Sequence, residues 1–85
     1  MTYNLTQDAE KQNGKAKNLA RARQSLIEEL DAINVYEERT QATKDEKLKK
    51  TLAHNRDEEK EHAAMLIEYL KENDSTFNKM FDEHD

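Results

Sequence analysis

The chain has 85 residues, of which 34% are hydrophobic, 6% aromatic and 39% charged, so it can form one small domain with a thin core at most. It has no cysteine, which excludes disulfides, thiolate chemistry and cysteine-based zinc sites; metal held by oxygen and nitrogen, or self-association, remains as a staple. A net charge of -5 without a basic run argues against nucleic acid and anionic membrane as partners. The longest unbroken apolar run, Ala63 to Ile67, is too short to span a bilayer, and no signal peptide is visible, so a soluble cytoplasmic protein is expected.

With no proline and the single glycine Gly14, the chain reads as all-α. Residues 1–15 are polar and lack sustained periodicity, which predicts a flexible N-terminal arm, with at most a helical turn. Regular patterning starts near Ala16. Leu19, Ala22, Leu26, Ile33 and Tyr36 fall on a 3/4 spacing once position 29 is counted, which is the seam of a packed helix. A second seam runs through Leu48, Leu52, Leu66 and Tyr69, completed by positions 55, 59 and 62 and widened by Ala53, Ala63, Ile67 and Leu70.

Extended past Tyr36, the first seam lands on Thr40, Thr43, Lys47, Lys50 and His54, all polar, and the second seam is out of phase with it. The chain is therefore expected to reverse, with Thr43 as N-cap and Glu46 reaching back to complete a capping box. One fused helix is the competing reading, because no helix-ending glycine sits there. The second helix is expected to end near Asn73-Asp74-Ser75. Phe77, Met80 and Phe81 then form the apolar face of a short C-terminal helix or tail over 75–85. Residues 16–74 are thus read as a two-helix half-bundle.

The informative residues are the polar ones inside the seams. Glu29 lies one turn from both Leu26 and Ile33, and Glu59 and His62 interrupt the second seam at i, i+3. An unpaired buried carboxylate costs several kcal/mol, so these positions call for a cation, a proton or an exit to water. In an antiparallel hairpin the midpoint between Glu29 and the Glu59/His62 pair falls near residue 45, inside the proposed turn, so the three are level. A glutamate facing Glu-x-x-His is half the donor set of di-iron carboxylate bundles. A second copy across a two-fold axis completes that set and closes a four-helix bundle, so the homodimer remedies both the thin core and the half-site.

Glu-x-x-His alone is a weak motif in a glutamate-rich chain, and a seam glutamate or histidine also serves as a register device. Glu28, Asp31, Glu58 and Glu61 lie off the seam and read most simply as solvated, although Glu28 and Asp31 at i, i+3 could form an outer cation site. His54 reads as structural and His84 as a bystander. Tyr36 and Tyr69 read as core aromatics, with the Tyr36 hydroxyl placed to orient Glu29.

Around these residues the sequence resembles the encapsulated ferritins, the ferritin-like proteins packaged in encapsulin nanocompartments. The likeness runs from about Ser25 to Asp74 and centres on Ile27-Glu28-Glu29-Leu30-Asp31-Ala32 and on the stretch from Leu52 to Ala63 (LAHNRDEEKEHA). It implies an antiparallel two-helix protomer, a dimer sharing a di-iron ferroxidase centre, and a ring-shaped decamer of five dimers. Carried onto this chain, the ferroxidase ligands fall on Glu29, Glu59 and His62, the supporting tyrosine on Tyr36, and the outer carboxylates through which metal approaches on Glu28 and Asp31. Asp31 is shorter than the family's usual glutamate there, and Val35 replaces an aromatic often found beside that approach. The resemblance also implies a C-terminal extension docking on the inner shell wall, expected beyond Asp85 in a longer chain or replaced by another targeting route.

The expected function is therefore oxidation of Fe(II) to Fe(III) by dioxygen or peroxide, feeding iron mineral storage inside an encapsulin compartment. Two other readings are an adaptor hairpin in which Glu29, Glu59 and His62 only set register, and another di-metal oxidase or peroxide scavenger on the same scaffold.

Overall fold

The computed structural model describes the backbone of residues 2–84 and the side chains of residues 11 and 13–84. It contains three helices, α1 (Thr2–Ala42), α2 (Glu46–Asn73) and α3 (Ser75–His84), and no strand among the described residues. Helices α1 and α2 form an antiparallel hairpin, and among the described residues α3 packs on α2. The result is a slat 67 Å long and 13 Å thin. No helix of the described residues is long and apolar enough to cross a membrane.

The reversal occurs where the two seams lose phase, but its cap differs from the sequence expectation. Asp45, not Thr43, is the N-cap of α2: its Oδ1 accepts from the backbone N–H of Lys47 at 3.0 Å and of Leu48 at 3.1 Å. A carboxylate at the positive end of a helix is a stronger acceptor than a hydroxyl, which explains the choice. Thr43 acts one step earlier, where its Oγ1 accepts from the Asp45 N–H at 3.2 Å and tightens the turn. Helix α1 is closed by a hydrogen bond from the Thr43 N–H to the Arg39 carbonyl. The single fused helix is thereby excluded.

Helix α1 also begins at Thr2, well before Ala16, so residues expected as a separate arm are continuous with it. Loss of seam periodicity signals loss of a packing partner; it does not end a helix. The stretch lacks proline, and its one glycine, Gly14, does not take a positive φ. At the other end, Asp74 serves both neighbours. Its extended backbone (φ −123°, ψ 103°) donates N–H to the Leu70 carbonyl, while its Oδ1 accepts from the Phe77 N–H at 3.2 Å and caps α3. The expected α3 face forms, with the Phe77 and Phe81 rings stacked 5.6 Å apart and Lys71 Nζ lying 5.0 Å from the Phe81 ring centre.

The core is thin, as composition requires. Among the described residues only Ala22, Ala63 and Leu70 are buried apolar side chains, with Thr40 the buried polar one; its hydroxyl donates to the Tyr36 carbonyl at 2.6 Å. Leu26, Ile33, Tyr36, Leu52 and Leu66 are half-buried. Leu48 and Tyr69, expected in the seam, are exposed, and so are Ile27, Leu30, Val35 and Met65, the last at 64%. Two helices have only one face each to offer the other, so the remaining apolar surface has no cover within the protomer.

Candidate metal centre

Helix periodicity carries Glu29 to the α2-facing side of α1, and the three-residue spacing carries Glu59 and His62 to the α1-facing side of α2. Because the turn is short and tightly capped, these positions meet at the same level. Donor atoms of Glu29, Glu59 and His62 all lie within 4.8 Å of one another. His62 Nδ1 is 3.4 Å from Glu59 Oε2 and 3.6 Å from Glu29 Oε2. Two donors each about 2.1 Å from a common ion are separated by roughly 3.0–3.4 Å, depending on the coordination angle. The two separations from His62 are thus close to the spacing that one bound cation imposes.

The electrostatics point the same way. Glu29 Oε2 is buried and has no hydrogen-bond partner among the described residues. The Glu29 pKa is raised, chiefly because the Glu59 carboxylate beside it is poised to share a proton, then by burial and by repulsion from the Glu59 charge; His62 pulls it the other way. Two carboxylates converging on one point with too few donors are stabilised by a proton or by a metal ion. A set of two carboxylates and one imidazole suits first-row divalent metals, iron included. The cluster fits a metal ion such as iron, and His62 keeps 49% of its side-chain surface exposed, leaving an open side.

The other residues singled out from the sequence lie outside this cluster. Glu28 and Asp31 are exposed, and Glu28 Oε2 accepts from Gln24 Nε2 at 3.1 Å. Tyr36 lies on α1 two turns beyond Glu29 and half-buried. His54 pairs with Glu58 at 2.6 Å on the solvent side of α2, and Glu61 and His84 are exposed.

Sequence reasoning missed one feature. Arg56 Nη1 of α2 donates to Glu37 Oε2 of α1 at 2.8 Å, and Arg56 Nε donates to Asp57 Oδ1 at 3.1 Å. The other Glu37 oxygen accepts from Gln41 Nε2 at 2.9 Å. Arg56, followed by Gln41, holds the Glu37 carboxyl below its usual range, and Glu37 and then Asp57 raise Arg56. The midpoint of 37 and 56 falls by the same turn, so the reasoning that levels Glu29 with Glu59 and His62 would have found this pair.

The sequence profile of the EncFtn-like family matches residues 4–84. The chain belongs to the EncFtn-like family. Among its relatives are a ferritin-like protein of Thermotoga maritima, 53% identical over 60 residues, and an encapsulated ferritin-like protein of Rhodospirillum rubrum, 53% identical over 58. A third, the encapsulin nanocompartment cargo protein EncC of Myxococcus xanthus, is 49% identical over 53 residues. These alignments take in 71%, 68% and 61% of this chain but only 53%, 41% and 41% of the relatives, so the chain spans about half or less of their length. A crystal structure of protein ne0167 from Nitrosomonas europaea superposes with a TM-score of 0.77 at 50% identity, covering 80% of this chain and 75% of that one. The likeness read in the two sequence blocks to the encapsulated ferritins, and the all-helical fold, are thus both found.

Proposed function

We propose that the protein is a ferroxidase whose di-iron centre is shared across a homodimer, with Glu29, Glu59 and His62 of each protomer as its ligands. The observation that carries this reading is the buried, unpartnered Glu29 Oε2 facing an imidazole and a second carboxylate. One protomer supplies two carboxylates and one imidazole; two supply the four carboxylates and two imidazoles of a ferritin-like di-iron site. The exposed apolar residues Ile27, Leu30, Val35, Leu48 and Met65 support the dimer, since pairing gives them the cover the protomer lacks. A ring of five such dimers is the assembly proposed.

Fe(II) is the substrate. Anionic oxygen ligands stabilise Fe(III) over Fe(II) and so make the electron easier to remove. Two Fe(II) ions give up one electron each; dioxygen takes both with two protons and leaves as hydrogen peroxide, or peroxide takes them and leaves as water. The chain's own groups hold the two ions together and neutralise their charge. Tyr36 orients the Glu29 carboxylate. Glu28 and Asp31, with the acidic surface around them, draw Fe(II) toward the site, an attraction that added salt weakens. Two relatives are named for encapsulation, which supports an encapsulin shell as partner, with the oxidised iron stored as mineral inside that compartment.

The test is Fe(II) oxidation by the parent and by the variants E29A, E59A and H62A, followed by absorbance, with helicity measured in parallel. Loss of oxidation with helicity retained supports the ferroxidase. No oxidation by the parent, with dioxygen or with peroxide, overturns it in favour of an adaptor hairpin.

A further inference from the structure

Along the stretch that carries the cluster, the apolar residues between the two helices, Leu26, Ile33, Tyr36 and Leu52, are only half-buried. Among the described residues no side chain is buried between Ala22 and Thr40 on α1, nor between Glu46 and Ala63 on α2. The capped turn limits axial slip, but each helix can still roll about its axis. Successive residues differ by about 100° around a helix, so a small roll of α2 carries Glu59 and His62 away from Glu29. Half-buried side chains resist such a roll only weakly, so a directional contact is needed to fix that angle.

We propose that Arg56 and Glu37 form a positioning clamp that sets the roll of α2 on α1 and so holds His62 and Glu59 against Glu29. Arg56 lies one turn before Glu59, on the same side of α2, and its side chain is only 21% exposed. Its guanidinium is held at two points, by Glu37 across the seam and by Asp57 on its own helix, and Glu37 is in turn held by Gln41. The planar fork of arginine makes this a directional joint, unlike the point charge of a lysine. The clamp is made with Glu37 and Asp57 and with none of the three donor residues of the cluster; it acts through the helices that carry them. Its consequence for metal binding rests on the ferroxidase reading, whereas its consequence for the metal-free protein does not.

Two measurements on the full chain test the clamp. The first is NMR of the metal-free protein, looking for cross-helix nuclear Overhauser effects between the His62 ring and the Glu29 side chain. The second is titration with Co(II), reading affinity and the ligand-field spectrum. The parent shows the cross-peaks. In Arg56→Met, and more mildly in Glu37→Gln, the cross-peaks weaken or vanish while helicity persists, and Co(II) affinity falls about tenfold or more, with a changed spectrum. The charge swap Glu37→Arg with Arg56→Glu brings the cross-peaks back. Cross-peaks absent from the parent, unchanged in both single variants, or lost in the singles and not recovered in the swap, each overturn the clamp. Failure of the parent to bind Co(II) counts against the metal site alone, because the NMR comparison tests the clamp without it.

Discussion

His62 Nδ1 lies 3.6 Å from Glu29 Oε2 across the seam between α2 and α1, too far for a hydrogen bond and close enough for both atoms to share one ion. Because Glu29 Oε2 is buried without a hydrogen-bond partner among the described residues, the metal-free protein carries a cost that a bound cation would relieve. Substituting Glu29→Gln removes the repulsion from Glu59. The variant is expected to melt a few degrees higher than the parent when both are metal-free, and to lose the rise in Tm that Fe(II) gives the parent. Its Fe(II) oxidation is expected to fall about 100-fold or more, as for removal of a group the reaction depends on. Thermal melts with and without Fe(II), beside an oxidation assay, check all three.

The two perturbed glutamates have opposite signs with pH. Arg56 holds the Glu37 carboxyl below its usual range, so folding favours the ionised form. That contribution is complete above the ordinary carboxylate range, about pH 4 to 5, and is lost as pH falls through the lowered native value. The Tm deficit of Glu37→Gln relative to the parent is therefore expected to hold steady from neutral pH to about pH 5 and to close below it. The Glu29 carboxyl is raised, first by Glu59. Its penalty appears as pH rises through the ordinary range and on to the raised native value, so the advantage of metal-free Glu29→Gln is expected at neutral pH and absent in acid. Melts from acid to neutral pH on both variants check the two directions together.

Helix α2 depends on Asp45 for its start. Replacing Asp45→Ala leaves the N–H groups of Lys47 and Leu48 without their acceptor and is expected to cost about 1 kcal/mol, a fall in Tm of roughly 4–8 °C for a domain of this size. Thr43→Ala removes one hydrogen bond to the Asp45 N–H and is expected to cost less. Thermal or urea unfolding of the two variants checks the order.

Leu70 and Met65 separate stability from association. Leu70 is 0% exposed at the junction with α3, and truncation to alanine is expected to cost about 2–5 kcal/mol of stability. Met65 is among the most open apolar side chains, so Met65→Lys is expected to leave the helices intact and to weaken self-association by about tenfold or more. Circular dichroism and sedimentation equilibrium on the two variants check the contrast.

The hairpin was legible in the sequence because the two apolar seams lose phase between Tyr36 and Leu48, and because the turn then sets Glu29 level with Glu59 and His62. The cap was misassigned because Thr43 and Asp45 are both good caps two residues apart, and only the backbone geometry shows which side chain reaches the free N–H groups. The start of α1 was missed because periodicity reports packing, whereas the polar residues before Ala16 remain helical without an apolar stripe. The exposure of Leu48 and Tyr69 was not legible either, since a stripe marks a face that wants cover without saying which chain provides it. Arg56 and Glu37 lie off both seams; the turn sets them level, but only the rotation of α1 against α2 shows that they meet.

Native mass spectrometry of the full chain with and without Fe(II), reading subunit number and iron content together, tests the shared centre most directly. The account predicts subunits in even numbers and two irons for each pair, both lost from Glu59→Ala and His62→Ala. Monomers alone, or no more than one iron per pair at saturation, would contradict it.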